Sequence, residues 1–107
     1  MYVEEKKYGE TNIDEAGKIL LDAADYIERH GWCQGVHENG QGEVCAMGAI
    51  CHCYRGGDLT RRRQNGDLMA MHRLQNYVGS SYVGDWNDAS GRTKDQVVAA
   101  LRAAARA

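Results

Sequence analysis

Apolar positions in the first third of the chain recur with a helical period. Ile13, Ala16, Ile19, Leu20, Ala23, Ala24, Tyr26 and Ile27 share one broad face, and Asp14, Glu15, Lys18, Asp22, Asp25 and Arg29 share the other. The spacing predicts an amphipathic helix over 13–29. Asn12 serves as its N-cap, with Glu15 three residues on as the capping-box partner. Gly31 sits where a left-handed C-terminal cap belongs. Residues 1–11 are polar and charged and read as a flexible lead-in.

The helical period is lost over 32–45. Asn39-Gly40 is a type I′ turn signal, so a short β-hairpin or an ordered loop is expected, with runs too short to make a sheet alone. Helical spacing returns over 45–55. There Cys45, Ala46, Met47, Ala49, Ile50, Cys53 and Tyr54 sweep a wide apolar arc, and Gly48, Cys51, His52 and Arg55 fill the rest. So wide an arc predicts a central, buried helix, in which Gly48 lets another backbone approach. Gly56-Gly57 ends it. A third helix is expected over 67–78, capped near Asn65 or Asp67, with Leu68, Ala70, Met71, Leu74, Tyr77 and Val78 as its apolar face and His72, Arg73 and Asn76 opposite. After the breaker Gly79-Ser80-Ser81, Tyr82–Asp88 reads as a loop or short turn. Thr93-x-x-Gln96 is a capping box. It opens a last helix whose core face is Val97, Val98, Ala100, Leu101, Ala104 and Ala105, with Arg102 and Arg106 toward water. The expected fold is mostly α: one small domain spanning 1–107, of about four helices, with a short hairpin or loop after the first.

Size agrees with one core. A chain of 107 residues exposes about 17,000 Å² unfolded and about 6,000 Å² folded, which buries enough surface for one domain and not for two. Proline and phenylalanine are both absent, so bulk must come from Leu, Ile, Val, Met, six Tyr and two Trp. A net charge of −2 argues against bulk nucleic-acid binding. No apolar run approaches the roughly 18 residues that span a bilayer. The opening Met1–Lys7 has no apolar h-region, so no export signal is expected and the cytoplasm is the expected compartment. Four cysteines there are expected as free thiols. If oxidised, they could pair in three ways, and spacing does not choose among them.

The densest reactive cluster is Cys33, His37, Cys45, Cys51, His52 and Cys53. Zinc takes four Cys or His ligands in a tetrahedron. Cys33, His37, Cys45 and His52 are the set that could supply them, although no C-x-x-C occurs and Cys51 and Cys53 lie on opposite sides of a helix. Thiols that pack as small hydrophobes are the simpler reading, with no metal and no cofactor. A helix N-terminus lowers a thiol pKa, so Cys45 is the candidate nucleophile, with His52 (or His37) as base and Asp88 as orienter. The loop Trp86-Asn87-Asp88-Ala89-Ser90-Gly91-Arg92-Thr93 has a local explanation in Asx-turn chemistry and a cap. It has a functional one as a polar pocket in which Asp88 and Arg92 flank an aromatic floor. Arg61-Arg62-Arg63 is locally basic while residues 1–28 are acidic, a polarity that could steer a partner or a self-contact; the run is a weak nucleic-acid footprint, and a solvated linker is the simpler reading.

Gly31-Trp32-Cys33-Gln34-Gly35, Cys45-Ala46-Met47-Gly48-Ala49-Ile50, and Trp86-Asn87-Asp88 with Gly91-Arg92-Thr93 occur in that order, between an amphipathic helix and an alanine-rich one. This arrangement resembles a family of small, uncharacterised proteins found in actinobacteria and in the phages that infect them. The resemblance covers about residues 13–106. It implies a cytoplasmic accessory protein encoded by a phage, working in the host cytoplasm, and carries no activity to transfer.

The expected function is therefore a non-enzymatic binding protein acting on a host protein or a small ligand. Its expected contact residues are Trp32, His37, Trp86, Asn87, Asp88 and Arg92, on a surface shared by the loops after Trp32 and after Trp86. A cysteine-dependent enzyme using Cys45 and a zinc-stabilised interaction module are the alternatives. A homo-oligomer is compatible with all three.

Overall fold

The first helix, α1, runs Glu15–His30 and begins at Asp14. The computed structural model describes residues 13–55 and 65–107. The expected lead-in over 1–11, the Asn12 cap, the Gly56-Gly57 terminator and Arg61–Arg63 lie outside the described residues. The cap is Asp14, whose carboxylate accepts the Gly17 N–H at 2.9 Å and receives two hydrogen bonds from Arg73, at 2.9 and 2.5 Å. At the other end, Gly31 has the positive φ expected of it (+101°) but an extended ψ of 166°, so it is not a left-handed cap. Its N–H returns to the Ile27 carbonyl at 2.8 Å and the chain leaves the helix extended.

Among the described residues four further helices follow: α2 (Ala46–Arg55), α3 (Asn65–Val78), α4 (Val83–Asn87) and α5 (Lys94–Ala105). The five-residue α4 replaces the loop or turn expected there. The capping box of α5 is present, with the Thr93 hydroxyl accepting the Gln96 N–H at 3.2 Å and the Gln96 amide oxygen accepting the Thr93 N–H at 3.1 Å. Its six expected core residues are all buried. Arg102 does not simply face water; it reaches Asp25 at 3.2 Å and Glu28 at 3.5 Å on α1.

The sequence places α2 at the centre, and its residues 46–51 are indeed all buried, as is Cys45 just before it; they include Cys51, which the periodicity put outside the apolar arc. The most extensive packing, however, is between α1 and α5, and α1 also meets α2 and α3. The reason lies in small side chains. A Cβ on Gly17 would come within 2.8 Å of the Ala105 carbonyl oxygen, so glycine on one helix and alanines on the other let the two backbones nearly touch. Tyr77, assigned to the apolar face of α3, is half exposed instead.

The Asp14–Arg73 pair ties α1 to α3 and makes stability depend on acid. The Arg73 hydrogen bond first, and the Gly17 amide second, hold the Asp14 carboxyl at about 2 against an ordinary 3.8. A carboxyl depressed in the folded state stabilises fully above its unfolded pKa, and that contribution is lost as pH falls through the folded value. Asp14 is more than half exposed, so solvent screening leaves less than about 1 kcal/mol. Asp14→Asn, which keeps a competent cap, should lower stability by that amount near neutrality and converge with the parent toward pH 2. Urea midpoints across that range check it. A gap that stays constant down to pH 2 would remove the ion pair from the explanation.

Candidate functional site

Between α1 and α2 the chain wraps around its own residues 43–45. The Val44 N–H donates to Gly31 O at 3.1 Å and the Cys33 N–H donates to Val44 O at 3.0 Å, a parallel bridge between Trp32 and Val44. On the other side Glu38 and Val44 form an antiparallel bridge. There the Asn39 N–H reaches Glu43 O at 3.0 Å and the Cys45 N–H reaches His37 O at 3.1 Å. Val44, fully buried, is thus paired on both edges. The hairpin turn is Asn39–Gly42, closed by the Gly42 N–H on Asn39 O at 3.1 Å. It is not type I′: among the described residues none other than glycine has positive φ, and the positive one here is Gly42. Asn39 opens the turn rather than sitting inside it, because its side-chain oxygen accepts the N–H groups of Gln41 and Glu43 at 3.1 and 3.0 Å.

This wrapped loop is fastened to α4 by one side chain. Asn87 is fully buried. Its Oδ1 accepts the Trp32 indole N–H at 2.7 Å and the Ala46 N–H at 3.0 Å. Its Nδ2 donates to Cys33 O at 3.2 Å and to Asp88 Oδ1 at 2.9 Å. All four hydrogen bonds an amide side chain can make are made. Asp88 Oδ1 also accepts the Gly35 N–H at 3.0 Å, and Gln34 Nε2 reaches Asn87 O and Ala89 O at 3.1 and 3.2 Å. The local Asx-turn reading of Asn87 is therefore corrected: three of its four partners are distant in sequence. The bond to Ala46 also satisfies the first amide of α2, while the Cys45 sulfur accepts the Gly48 N–H at 3.3 Å. Two side chains thus cap a helix whose entry has no Ser, Thr, Asp or Asn in the capping position.

Beside this fastening lies an open cleft of about 130 Å³. Val36, His37 and Cys45 from the wrapped loop and Tyr82, Asp85 and Asp88 from around α4 are among its lining. Val36 and Tyr82 are 51% and 48% exposed. Of the expected contact residues, only His37 and Asp88 line this cleft. Trp32 and Asn87 lie behind it as support, and Asn87 is too buried to touch a partner. Trp86 and Arg92 pair with each other, the guanidinium sitting 4.3 Å over the indole ring while Arg92 Nε donates to Trp86 O at 2.9 Å. The aromatic wall of the cleft is Tyr82, which the sequence reading missed. The available signal was the spacing Tyr82, Asp85, Asp88, three residues apart along one side of a short helix.

The reactive side chains are gathered only in part: His37, Cys45 and Asp88 line the cleft, and His52 stands apart from it. His52 Nε2 meets Glu38 Oε1 at 2.9 Å, and its ring stacks on Tyr26, 4.9 Å between centroids. It is not a wall of the cleft that holds Cys45 and Asp88, so Cys45, His52 and Asp88 do not form a triad there. The zinc set is divided in the same way: His52 belongs to Glu38 and Tyr26, while Cys33 Sγ leans on Glu43 O at 3.3 Å. Among the described residues, no three His, Cys, Asp or Glu side chains gather as a metal-holding group.

Burial decides the character of the thiols. It pushes the Cys45 thiol up, against the opposing pull of the Gly48 and Met47 amides at the helix entry. It pushes Cys53 up to about 12, with Asp22 adding to the shift. Cys33 is raised by burial and by neighbouring Cys45 and Glu43. A raised pKa removes thiolate, which is the reactive form. We expect Cys45 and Cys51 in the native protein to react with iodoacetamide at about pH 8 at least roughly tenfold more slowly than in urea. Mass mapping of alkylated sites against time measures it. Fast native labelling at Cys45 would mean the thiol is activated, and would restore the enzyme alternative.

A model of a family of unknown function, DUF6197, matches residues 12–107. No curated protein and no solved structure matches the chain. Among the described residues, no helix is long and apolar enough to cross a membrane.

Proposed function

Since the chain belongs to DUF6197, a family of unknown function, we propose from the site alone that it is a non-enzymatic binding module and that the cleft beside Tyr82 receives a side chain of a partner protein. One observation carries this reading. Val36 and Tyr82 stay about half exposed on the lining of one cleft, while the satisfied side chain of Asn87 ties the wrapped loop to α4. Such apolar surface is more useful against a partner than against water. Size favours a protein over a free small ligand, because sites that enclose drug-sized molecules run from about 300 to 1,000 Å³ and this cleft is about 130 Å³. The exposed carboxylates of Asp85 and Asp88 beside it favour a Lys or Arg side chain whose apolar stem lies between Val36 and Tyr82. A host protein in the cytoplasm, met by a phage-encoded accessory protein, is the setting this reading adopts.

Display of random peptides against the immobilised protein tests it. Enriched peptides should carry Lys or Arg beside an apolar residue. Tyr82→Ser and Asp85→Asn, both at exposed positions, should each reduce their retention about tenfold or more while the urea midpoint stays put. No enrichment, or enrichment that both variants retain in full, rejects the cleft as the binding surface.

A further inference from the structure

We propose that Cys33 and Cys45 form a reversible intramolecular disulfide, a modification site at the entry to α2. The two residues follow Trp32 and Val44, which are paired in a parallel bridge. In that register Cys33 stands opposite Cys45. The backbone bond from the Cys33 N–H goes to the carbonyl immediately before Cys45. Paired chains lie about 4.8 Å apart, and disulfides join cysteines whose Cα atoms are roughly 4.4 to 6.8 Å apart. The Cys33 sulfur already leans along the neighbouring chain, 3.3 Å from Glu43 O, and Cys45 is among the groups whose charge acts on the Cys33 thiol. The other two cysteines are placed elsewhere. Cys51 is buried in α2, and Cys53 sits within the influence of Asp22, Asp25 and Arg29 on α1. Of the three pairings that spacing alone leaves open, the register thus selects the one containing Cys33–Cys45.

Accessibility sets the order of events. Cys33 is partly exposed and Cys45 is buried, so a small-molecule disulfide such as oxidised glutathione meets Cys33 first. The Cys33 thiolate attacks one sulfur of the reagent, forms a mixed disulfide and expels one reagent thiolate. The Cys45 thiolate then attacks Cys33 Sγ, the protein S–S bond forms, and the second reagent thiolate leaves. Two protein thiols are oxidised, one reagent disulfide is reduced to two thiols, and the two protein protons end on them. Only the second step involves Cys45, and it is internal: burial excludes reagents but not the neighbouring Cys33 sulfur, and the raised Cys45 pKa slows the step by thinning the thiolate. Closure takes the Cys45 sulfur out of its free-thiol state at the wall of the cleft, where it now accepts the Gly48 N–H. The inference stands independently of any binding role.

The experiment uses the intact protein equilibrated in glutathione buffers of increasing oxidised fraction. Free thiols are trapped, and the chain is then cut after Glu38 and Glu43, which separate the two cysteines, and after Met47 with cyanogen bromide, which parts Cys45 from Cys51 and Cys53. The expected product is the fragment holding Cys33 joined to the fragment holding Cys45, reversed by reduced glutathione. Its yield should be unchanged in Cys51→Ser and in Cys53→Ser. Cys45→Ser should stop at the mixed disulfide on Cys33. A parent protein that accumulates only the mixed disulfide, that bonds Cys51 or Cys53 instead, or that stays reduced in buffers that oxidise the urea-unfolded chain overturns the proposal.

Discussion

Gly48→Ala should destabilise the protein by roughly 2 to 3 kcal/mol, although alanine is the better helix former. A Cβ at this position would overlap the His37 carbonyl oxygen and lie 3.0 Å from the carbonyl carbon. That oxygen is the acceptor of the Cys45 N–H, at 3.1 Å. The obstacle is backbone, not the free end of a flexible side chain, so relief requires α2 to slide away from the 37–39 segment and to give up that bond. The gain in helix propensity is about 1 kcal/mol and is smaller than the combined cost of overpacking and a stranded buried N–H. Gly40→Ala is the control. Nothing lies within 4 Å of its Cβ, and its φ is not positive, so it should stay within about 0.5 kcal/mol of the parent. Urea denaturation of the three proteins decides the matter. Equal midpoints for Gly48→Ala and Gly40→Ala would mean that the contact with His37 has room to give.

What could be read from the sequence divides along the range of the interactions involved. The core face of α1 and the capping box of α5 follow from donors, acceptors and methyl groups three or four residues apart. Ile19, Leu20 and Ile27, and Thr93 with Gln96, therefore stand where spacing puts them. Gly48 was legible as a point of close approach because glycine inside an apolar helix has few other uses, but nothing in the spacing said that His37 would fill the gap. The cleft was the least legible part. Its Tyr82 stands at the N-cap of a five-residue helix, too short for a hydrophobic period to register, and its polar support runs through Asn87. The Trp32, Cys33 and Ala46 partners of Asn87 are 55, 54 and 41 residues away. Local turn chemistry is the natural reading of Trp-Asn-Asp followed by Gly, and it misses a side chain spent on tertiary contacts.

The burial of Asn87 makes its substitution the most costly one expected here. Asn87→Ala removes a side chain with four hydrogen bonds and leaves the Trp32 indole N–H, the Ala46 N–H and the Cys33 carbonyl without it. Buried groups stranded in this way cost about 1 to 3 kcal/mol each when no water replaces the partner. A loss on the order of 4 kcal/mol is expected, a large part of what a domain of this size has. Asn87→Asp separates the polar bonds from simple volume. Its shape is unchanged, and one oxygen still accepts from Trp32 and Ala46. The other now faces Cys33 O and Asp88 Oδ1, positions that accept hydrogen bonds from the native amide. A carboxylate there is repelled and desolvated, so its pKa rises on folding, and a raised carboxyl pKa penalises the folded state above the unfolded value. The deficit of Asn87→Asp relative to the parent should therefore shrink as pH falls, when the protonated acid can donate one bond again, whereas that of Asn87→Ala should not. Urea midpoints of the two variants and the parent between neutral pH and about pH 4 read this directly. If Asn87→Ala costs less than about 1 kcal/mol, the loop is held to α4 by its apolar contacts, and Asn87 is not what holds the lining of the cleft together.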